Sequence, residues 1–303
     1  MHTRPLLLIA AVSLGGGAGA AEPPPPLTPP DLTGPRLLAL QSGVGAATGT
    51  EALFVNPAAL AARRRYAIDG FYLTDRRPGL DGSSRQQDYF GGAVADSSTT
   101  SLAAGFGYAR AMKGVETGTL LRLALALPLT NAFYLGTQVN YLDLGGADRV
   151  ATTFNLDAGA MYQVTRMVSV GGAAYNLLSN KHHAIMPRAY ALGFAAGSEN
   201  SLQVVGDWRI DTNRVRSSSG SARSTSRFGL GLEYLLAGSV PVRAGFQVDD
   251  TSRNAADKGT KWWSLGAGWV NPRLAVDLGY RQSTTDPSAR TIALALRIFI
   301  PPE

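Results

Sequence analysis

Segments of about ten residues in which large apolar side chains alternate with small or polar ones recur from Tyr66 onward. In Arg227–Leu236, for example, every second residue is apolar, and Gly229, Gly231 and Glu233 lie between them. A period of two is the period of a β-strand, because successive side chains of a strand point to opposite faces. We predict about fourteen strands of this kind. Their centres are expected near Phe71, Gly92, Phe106, Ala124, Thr137, Leu156, Gly171, Leu192, Val205, Leu232, Arg243, Leu265, Val276 and Leu296.

The connections between these strands are predicted to alternate between short turns and long polar loops. Pro128–Asn131 and Ala237–Ser239 are typical of the short class, whereas Arg110–Thr117 and Asp211–Ser226 are typical of the long class. An antiparallel membrane barrel has short turns on one side and longer loops on the other. An even number of strands would also bring both termini back to the periplasmic side.

The face opposite the large apolar residues is mostly Gly, Ala, Asn and Gln. Only 17% of the chain is charged and 35 residues are glycine, whereas soluble domains are roughly 25% charged. A surface so poor in charge is unsuited to water, but it fits a polar lumen whose outer wall meets lipid. Closure into a barrel also pairs the backbone groups, as lipid requires. The predicted fold is therefore all-β, a transmembrane antiparallel β-barrel of about fourteen strands; the alternative is an exported, soluble β-sandwich.

The N-terminus has the pattern of an export signal. Arg4 precedes the apolar stretch Leu6–Leu14, and small residues follow at Ala18–Ala20, which together predict a signal peptide over residues 1–21. We expect a Pro-rich linker over 22–32, an N-terminal hatch over 33–64 and the barrel over 65–303. This organisation predicts a location in the outer membrane, in contact with its lipid.

Catalytic and nucleic-acid-binding functions find little support. The chain has no cysteine, so it offers neither a disulfide nor a thiolate metal site. It has no Gly-x-Ser-x-Gly motif, no phosphate-binding loop and no basic stripe with interleaved aromatic residues. His182 and His183 fall in a predicted loop, and adjacent residues of an extended segment point apart, which makes a poor metal pair. We expect no enzyme activity, no cofactor, no metal site and no nucleic-acid partner.

The predicted lumen needs something to fill it. Eight strands enclose a space that side chains just fill, whereas sixteen to eighteen leave an open channel. A barrel of about fourteen strands lies between these cases, and many of its inward positions carry no side chain. The ordered segment available to occupy the interior is the hatch. The inward glycines are Gly105, Gly107, Gly159, Gly193, Gly229, Gly231, Gly266 and Gly268.

The sequence Asn56-Pro57-Ala58 marks a break inside the hatch. Proline lacks an N–H group and pushes the preceding residue out of the helical region, so a helix can start at Pro57 but cannot pass through it. Asn56 is then expected to cap a helix over Ala58–Ala62, with Arg63–Arg65 at its C-terminal end. The pattern leaves open whether this segment is a moving gate or simply a capped helix that leads into the first strand.

Polar and charged residues at inward strand positions are candidates for contact with a ligand headgroup. The alternative is that they pair with one another, because buried charges are normally paired. These lumen-facing candidates are Arg122, Gln138, Asn140, Asn155, Asp157, Asp207, Arg209, Glu233, Arg243, Asp277 and Arg297.

The segment GTEALFVNPAALA and the strand after it resemble the N-terminal region of the FadL family of long-chain fatty-acid and hydrocarbon transporters. They also resemble the related PorV-like proteins of the type IX secretion pathway. The match is carried by Asn56, Pro57, Ala58 and Leu60. The resemblance implies a fourteen-stranded barrel with a hatch that shifts, and passive uptake of a hydrophobic small molecule. The PorV-like alternative implies a structural or adaptor barrel that binds a secreted protein and transports nothing itself.

Overall fold

The computed structural model describes residues 34–78, 84–113, 116–146, 151–178, 186–216, 222–250 and 260–300. The predicted signal peptide, the Pro-rich linker and the histidine pair His182–His183 lie outside the described residues. The predictions made for them therefore stay predictions.

Fourteen antiparallel strands close into one barrel, in which each strand pairs with its neighbours in sequence and β1 pairs with β14. Each predicted strand centre lies within a different strand, so the predicted fold class and strand number are confirmed. The strands are β1 Tyr66–Pro78, β2 Ser84–Asp96, β3 Ala103–Lys113, β4 Glu116–Pro128, β5 Phe133–Gly146, β6 Ala151–Thr165, β7 Val168–Tyr175, β8 Ala189–Gly197, β9 Leu202–Arg216, β10 Ala222–Leu236, β11 Val240–Asp250, β12 Thr260–Val270, β13 Leu274–Ser283 and β14 Arg290–Ile300.

The outer surface of the barrel is apolar. Leu123, Phe154, Leu192 and Phe228 are each more than half exposed, and large apolar side chains occupy alternate positions along most strands. Soluble monomers rarely expose contiguous apolar patches of more than a few hundred Å². Outward apolar residues around a closed ring of strands are the arrangement of a barrel that spans an outer membrane. Among the described residues, no helix is long and apolar enough to cross a membrane.

The two ends of the barrel differ in their connections, although less regularly than predicted. At one end, which we call the turn end, every second connection has between two and six residues. These connections join β2 to β3, β4 to β5, β6 to β7, β8 to β9, β10 to β11 and β12 to β13. At the other, the loop end, the strands continue into several predicted loops. β3 runs to Lys113 and β4 begins at Glu116, so the long loop predicted over Arg110–Thr117 was wrong. Strand pairing needs only backbone groups, so the ladder continues where the apolar alternation fades.

Residues 34–64, which we call the hatch, lie inside the barrel as far as Leu60 and reach its turn end at Arg63 and Arg64. They form two α-helices, α1 Pro35–Leu40 and α2 Ala52–Val55, and two 3₁₀-helices, Gly49–Glu51 and Pro57–Ala61. Every residue from 35 to 60 is buried. The predicted N-terminal helical segment is thus confirmed and lies in the interior, although α1 was not predicted; its role as a hatch stays a prediction.

Candidate functional site

The hatch follows the inner wall of the barrel, and its backbone passes over a glycine on one strand after another. Nine inward glycines, which we call the glycine track, lie so close to the hatch that a Cβ atom would approach a hatch atom to within 3 Å. Glycine in a strand permits such a close approach of another backbone. In hatch order the pairs are Pro35 with Gly279, Ala39 with Gly266 and Gly245, Leu40 with Gly231, Gln41 with Gly229, Val44 with Gly193 and Gly171, Asn56 with Gly159, and Ala58 with Gly136.

This order places the hatch as a ring in the lumen. From Pro35 to Ala58 it meets β13, β12, β11, β10, β8, β7, β6 and β5 in turn. Of the predicted inward glycines, Gly105 and Gly107 face Leu53 instead, and Gly268 faces the carboxylate of Asp277 on the next strand. Hatch backbone therefore fills most of the space that side chains would otherwise occupy along the wall.

Asn56 joins three parts of the hatch and the wall. Its side chain is fully buried, and Nδ2 donates to the Val44 carbonyl at 2.9 Å and to the Ala160 carbonyl of β6 at 3.2 Å. Its Oδ1 accepts from the Ala58 N–H at 3.2 Å, which confirms the predicted cap. The helix that follows Pro57 is a 3₁₀-helix rather than an α-helix, and it ends at Ala61. Pro57, Ala58 and Leu60 are buried around this cap.

A row of alternating positive and negative side chains, which we call the charge chain, fixes the hatch to strands β10, β11, β13, β14 and β1. Arg36 of α1 contacts Glu233 through Nε at 2.9 Å and through Nη2 at 3.0 Å. Its Nη1 contacts Glu51 at 2.8 Å, and Glu51 in turn accepts from Arg297 at 3.0 Å. Arg297 also contacts Asp69 at 2.9 Å. At the opposite end of the charge chain, beyond Glu233, Arg243 donates to both Glu233 and Asp277.

Arg36 and Glu51 are the two hatch residues of the charge chain, and each shifts the pKa of the other. Burial raises the pKa of Glu51, but the attraction of Arg36 and Arg297 outweighs it and leaves the pKa below its ordinary value. Burial lowers the pKa of Arg36, but the attraction of Glu233 and Glu51 outweighs the effect of burial and leaves the pKa well above its ordinary value. Both groups are therefore charged at neutral pH.

The remaining predicted polar candidates also face the interior and bind the protein itself. Asp207 accepts from the N–H groups of Gly43 and Val44, at 2.6 and 2.9 Å. Arg122 donates to the Leu53 carbonyl at 2.5 Å, and its guanidinium lies over the Phe54 ring. The other contacts are Arg209 with Asp211, Asn155 with the N–H groups of Leu156 and Leu178, and Gln138 and Asn140 with Asp157.

These contacts favour the alternative in which the lumen residues pair with one another and with the hatch. A role of any of them toward a ligand stays a prediction. Arg36, Glu51 and Asp69 were missed, although an arginine inside the apolar stretch PRLLAL and a glutamate inside GTEALF are signals that an interior ion pair could explain. Their pairing depends on the ring path of the hatch, which no local pattern indicates.

One side of the lumen carries a cluster of large apolar side chains. Six inward side chains of β1, β2, β4 and β5, which we call the apolar wall, form one buried cluster with Leu53, Phe54 and Val55 of the hatch. Phe54 contacts Phe71 edge to face, with 5.6 Å between ring centres. Charged and amide side chains line β9–β14, and others lie beside the apolar wall, such as Arg122, Gln138 and Asn140 on β4 and β5. The apolar wall consists of Phe71, Leu73, Tyr89, Leu120, Leu142 and Leu144.

Among the described residues, two cavities adjoin the hatch. The larger, of about 390 Å³, lies at the turn end between the charge chain, the hatch end Arg63–Arg65 and the turn residue Glu199. The smaller, of about 70 Å³, lies between α1 and the inward side chains Arg209, Arg227 and Arg281. Among the described residues, no group of three His, Cys, Asp or Glu side chains is placed to hold a metal ion.

Comparison with known proteins gives structural likeness alone. No family model and no curated protein sequence matches the chain. Among solved structures, the toluene transporter TbuX of Ralstonia pickettii matches 88% of this chain and 97% of its own, with a TM-score of 0.60 and 17% identity. A FadL homologue of Pseudomonas aeruginosa matches 88% and 97%, with a TM-score of 0.60 and 13% identity. The toluene transporter TodX of Pseudomonas putida matches 87% and 95%, with a TM-score of 0.58 and 12% identity.

At these identities the likeness is one of fold. The matches cover nearly the whole length of each solved chain, and the Asn-Pro-Ala resemblance pointed to the same architecture. This chain has the fold of the FadL-family hydrocarbon channels.

Proposed function

We propose that this protein lets hydrophobic small molecules cross the outer membrane passively, with the turn end and both termini facing the periplasm. The observation that carries the proposal is the apolar wall, which runs from the loop end at Leu144 down to Phe71 beside the hatch. Large apolar side chains line much of β1–β5, which suits an apolar solute better than an ion or a sugar, although Arg122, Gln138 and Asn140 also lie on these strands. The proposal is supported by the toluene transporters TbuX and TodX, which have a similar fold.

Passage along this wall needs no energy source. Burial of an apolar solute releases ~0.8 kcal/mol per CH₂ group, so a solute moves from water into the lumen down a free-energy gradient. The hatch would then admit it on the apolar side, where Leu53 and Phe54 meet the wall through side-chain packing. The charge chain of Arg36 and Glu51 would hold the opposite side of the hatch in place.

An uptake assay tests the proposal. We would express the wild type in cells that lack a hydrocarbon channel of their own and measure the initial rate of uptake of radiolabelled toluene. Leu120→Asn with Leu142→Asn puts two amides into the apolar wall and should abolish most of the gain in rate. Leu120→Met with Leu142→Met keeps the wall apolar at nearly the same volume and should retain it. Heat-modifiable gel migration checks that each barrel is folded. Equal rates with and without wild-type protein would refute the proposal.

The second candidate is an adaptor barrel that transports nothing. It is favoured by one observation, that the hatch is held by buried ion pairs on several strands, including Glu233 and Arg297. A stoichiometric exported protein in pull-downs, together with no gain in toluene uptake, would decide for this candidate.

A further inference from the structure

The smaller cavity beside the hatch, which we call the inner cavity, has the size of a site for a small ion. Its volume is about 70 Å³, far below the ≈ 300–1,000 Å³ of pockets for organic ligands. A water molecule takes up ≈ 30 Å³ in the liquid. The inner cavity therefore has room for one small ion or for a few water molecules.

Two buried hydrogen-bond donors beside the inner cavity lack an acceptor. They are Nε2 of Gln41 and Nη1 of Arg209, and neither has a hydrogen-bond partner within the part of the chain that the structure describes. Both side chains line the cavity, and only 8% of Gln41 and 6% of Arg209 is exposed. Buried polar groups are nearly always hydrogen-bonded, so each exception calls for a partner. Because both atoms are donors, the partner they require is an acceptor.

The backbone of Gln41 also indicates a use for its side chain. Gln41 ends α1 in the left-handed conformation, with φ 56° and ψ 18°. Glycine is the usual residue at this position of a helix end, since every residue with a Cβ atom is strained there. The backbone therefore favours glycine, and the amide that replaces it is directed to the inner cavity.

Arg209 is held in place independently of any ligand. Its Nε donates to Asp211 at 2.5 Å, and its guanidinium carbon lies 4.6 Å from the centre of the Tyr175 ring. A guanidinium group has five N–H donors, so a contact with one carboxylate leaves others available. The donor at Nη1 is thus fixed before a ligand binds, which lowers the entropy cost of binding.

The charges around the inner cavity favour a single negative charge. Three guanidinium groups line it, together with one carboxylate, that of Asp207. Asp207 directs Oδ2 to two hatch N–H groups, at 2.6 and 2.9 Å. Asp211 and Asp249 pair with Arg209 and Arg227 through Nε. These carboxylates offset part of the positive charge, so a monoanion suits the cavity better than a polyanion, and the donors at its surface disfavour a cation.

We propose that the inner cavity binds a small inorganic monoanion of the halide class, such as chloride, between Gln41 of the hatch and Arg209 of β9. The bound anion accepts from both side chains and so joins the hatch to the wall. A ligand that binds only the docked hatch stabilises it in proportion to occupancy. Docking of the hatch should therefore strengthen with halide concentration. The proposal goes beyond the proposed function, because it concerns how the hatch is held and not what the barrel transports.

Crystals grown in sodium bromide test the site directly. Bromide has the charge of chloride and an anomalous signal that identifies it. We expect a bromine peak in the inner cavity, within hydrogen-bonding distance of Nε2 of Gln41 and Nη1 of Arg209. Water density alone at this place, with bromide present in the crystal, would overturn the proposal.

Hydrogen exchange of the full chain in nanodiscs of zwitterionic lipid tests the effect on the hatch. The comparison is between chloride and gluconate as sodium salts, both at about 0.2 M so that screening is equal. Gluconate is a monoanion too large for a cavity of about 70 Å³. Peptides from residues 35–60 should exchange at least about threefold more slowly in chloride than in gluconate.

Gln41→Gly removes the amide and keeps the left-handed backbone without strain. The difference between chloride and gluconate should disappear in this variant. Gln282→Ala, which removes an amide of β13 that does not line the inner cavity, should keep the difference. Equal exchange of the wild type in the two salts, or an undiminished chloride effect in Gln41→Gly, would overturn the proposal. Toluene uptake is measured separately, so failure of the anion site leaves the proposed transport untouched.

Discussion

Replacing Gly231 by alanine should push the hatch off the wall while leaving the barrel intact. A Cβ atom at Gly231 would lie 2.9 Å from both the Cα and the carbonyl carbon of Leu40, whereas carbon atoms in favourable contact are ≈ 3.5–4.0 Å apart. The obstructing atoms are hatch backbone, so no side-chain rotation relieves the overlap. Overpacking of this kind costs typically 1–3 kcal/mol. The fraction of molecules with a detached hatch should therefore rise roughly 5- to 150-fold.

Gly70→Ala is the matched control. Gly70 lies on β1, and a Cβ atom there meets nothing within 4 Å. Alanine in place of an unhindered glycine stabilises a protein by ≈ 0.4–1 kcal/mol through the unfolded chain. The same substitution thus has opposite signs at the two sites if the glycine track exists to admit the hatch.

Hydrogen exchange measured by mass spectrometry reads the result directly. In Gly231→Ala, peptides from residues 35–60 should exchange faster than in the wild type, while peptides from β10 and its neighbours keep their protection. In Gly70→Ala, hatch exchange should be unchanged or slower. Identical hatch exchange in all three proteins would refute the reasoning, because it would mean that the hatch is not pressed against the wall at Gly231.

Two further substitutions and a pH series test the hatch contacts. Asn56→Ala leaves the Val44 carbonyl without its buried donor and should weaken the binding of the hatch to the wall by about 1–3 kcal/mol. Residues 34–64 should then be cleaved by protease faster than in the control Asn200→Ala, which alters an exposed amide. Glu51→Gln leaves two buried guanidinium groups without their shared carboxylate and should cost about 3–5 kcal/mol, measured as a lower thermal midpoint; an unchanged midpoint would contradict the role of the charge chain. Because the folded pKa of Glu51 is lowered, its stabilisation is complete above its ordinary pKa of about 4.3 and is lost as the pH falls through the folded value. Hatch protection in the wild type should therefore hold down to about pH 5 and approach that of Glu51→Gln only at lower pH.

The barrel was predictable because its pattern is local. A lipid-facing strand must alternate, so each of the fourteen centres could be located from the side chains of one short segment. The loop-end boundaries were less predictable, since strands such as β3 and β4 continue past the apolar alternation as far as Lys113 and Glu116. Asn56-Pro57 likewise predicted its own cap, because the restriction lies within neighbouring residues.

The path of the hatch could not be predicted in this way. The pairing of Arg36 with Glu233 joins residues 197 positions apart, and it follows from a ring that crosses strands in reverse order. Gly136, Gly171, Gly245 and Gly279 belong to the glycine track for the same reason, although each looks like an ordinary strand glycine. The alternation along each strand identified the residues that face the lumen, but it could not show which of them would contact the hatch.

The most direct test of a hydrophobic pathway is the position of a bound hydrocarbon. Crystals of the protein soaked with bromobenzene would locate the ligand by the anomalous signal of bromine. We predict a peak inside the barrel, against Leu73, Leu120 or Leu142 of the apolar wall. Bromine peaks only on the lipid-facing surface, with the interior unchanged, would contradict it.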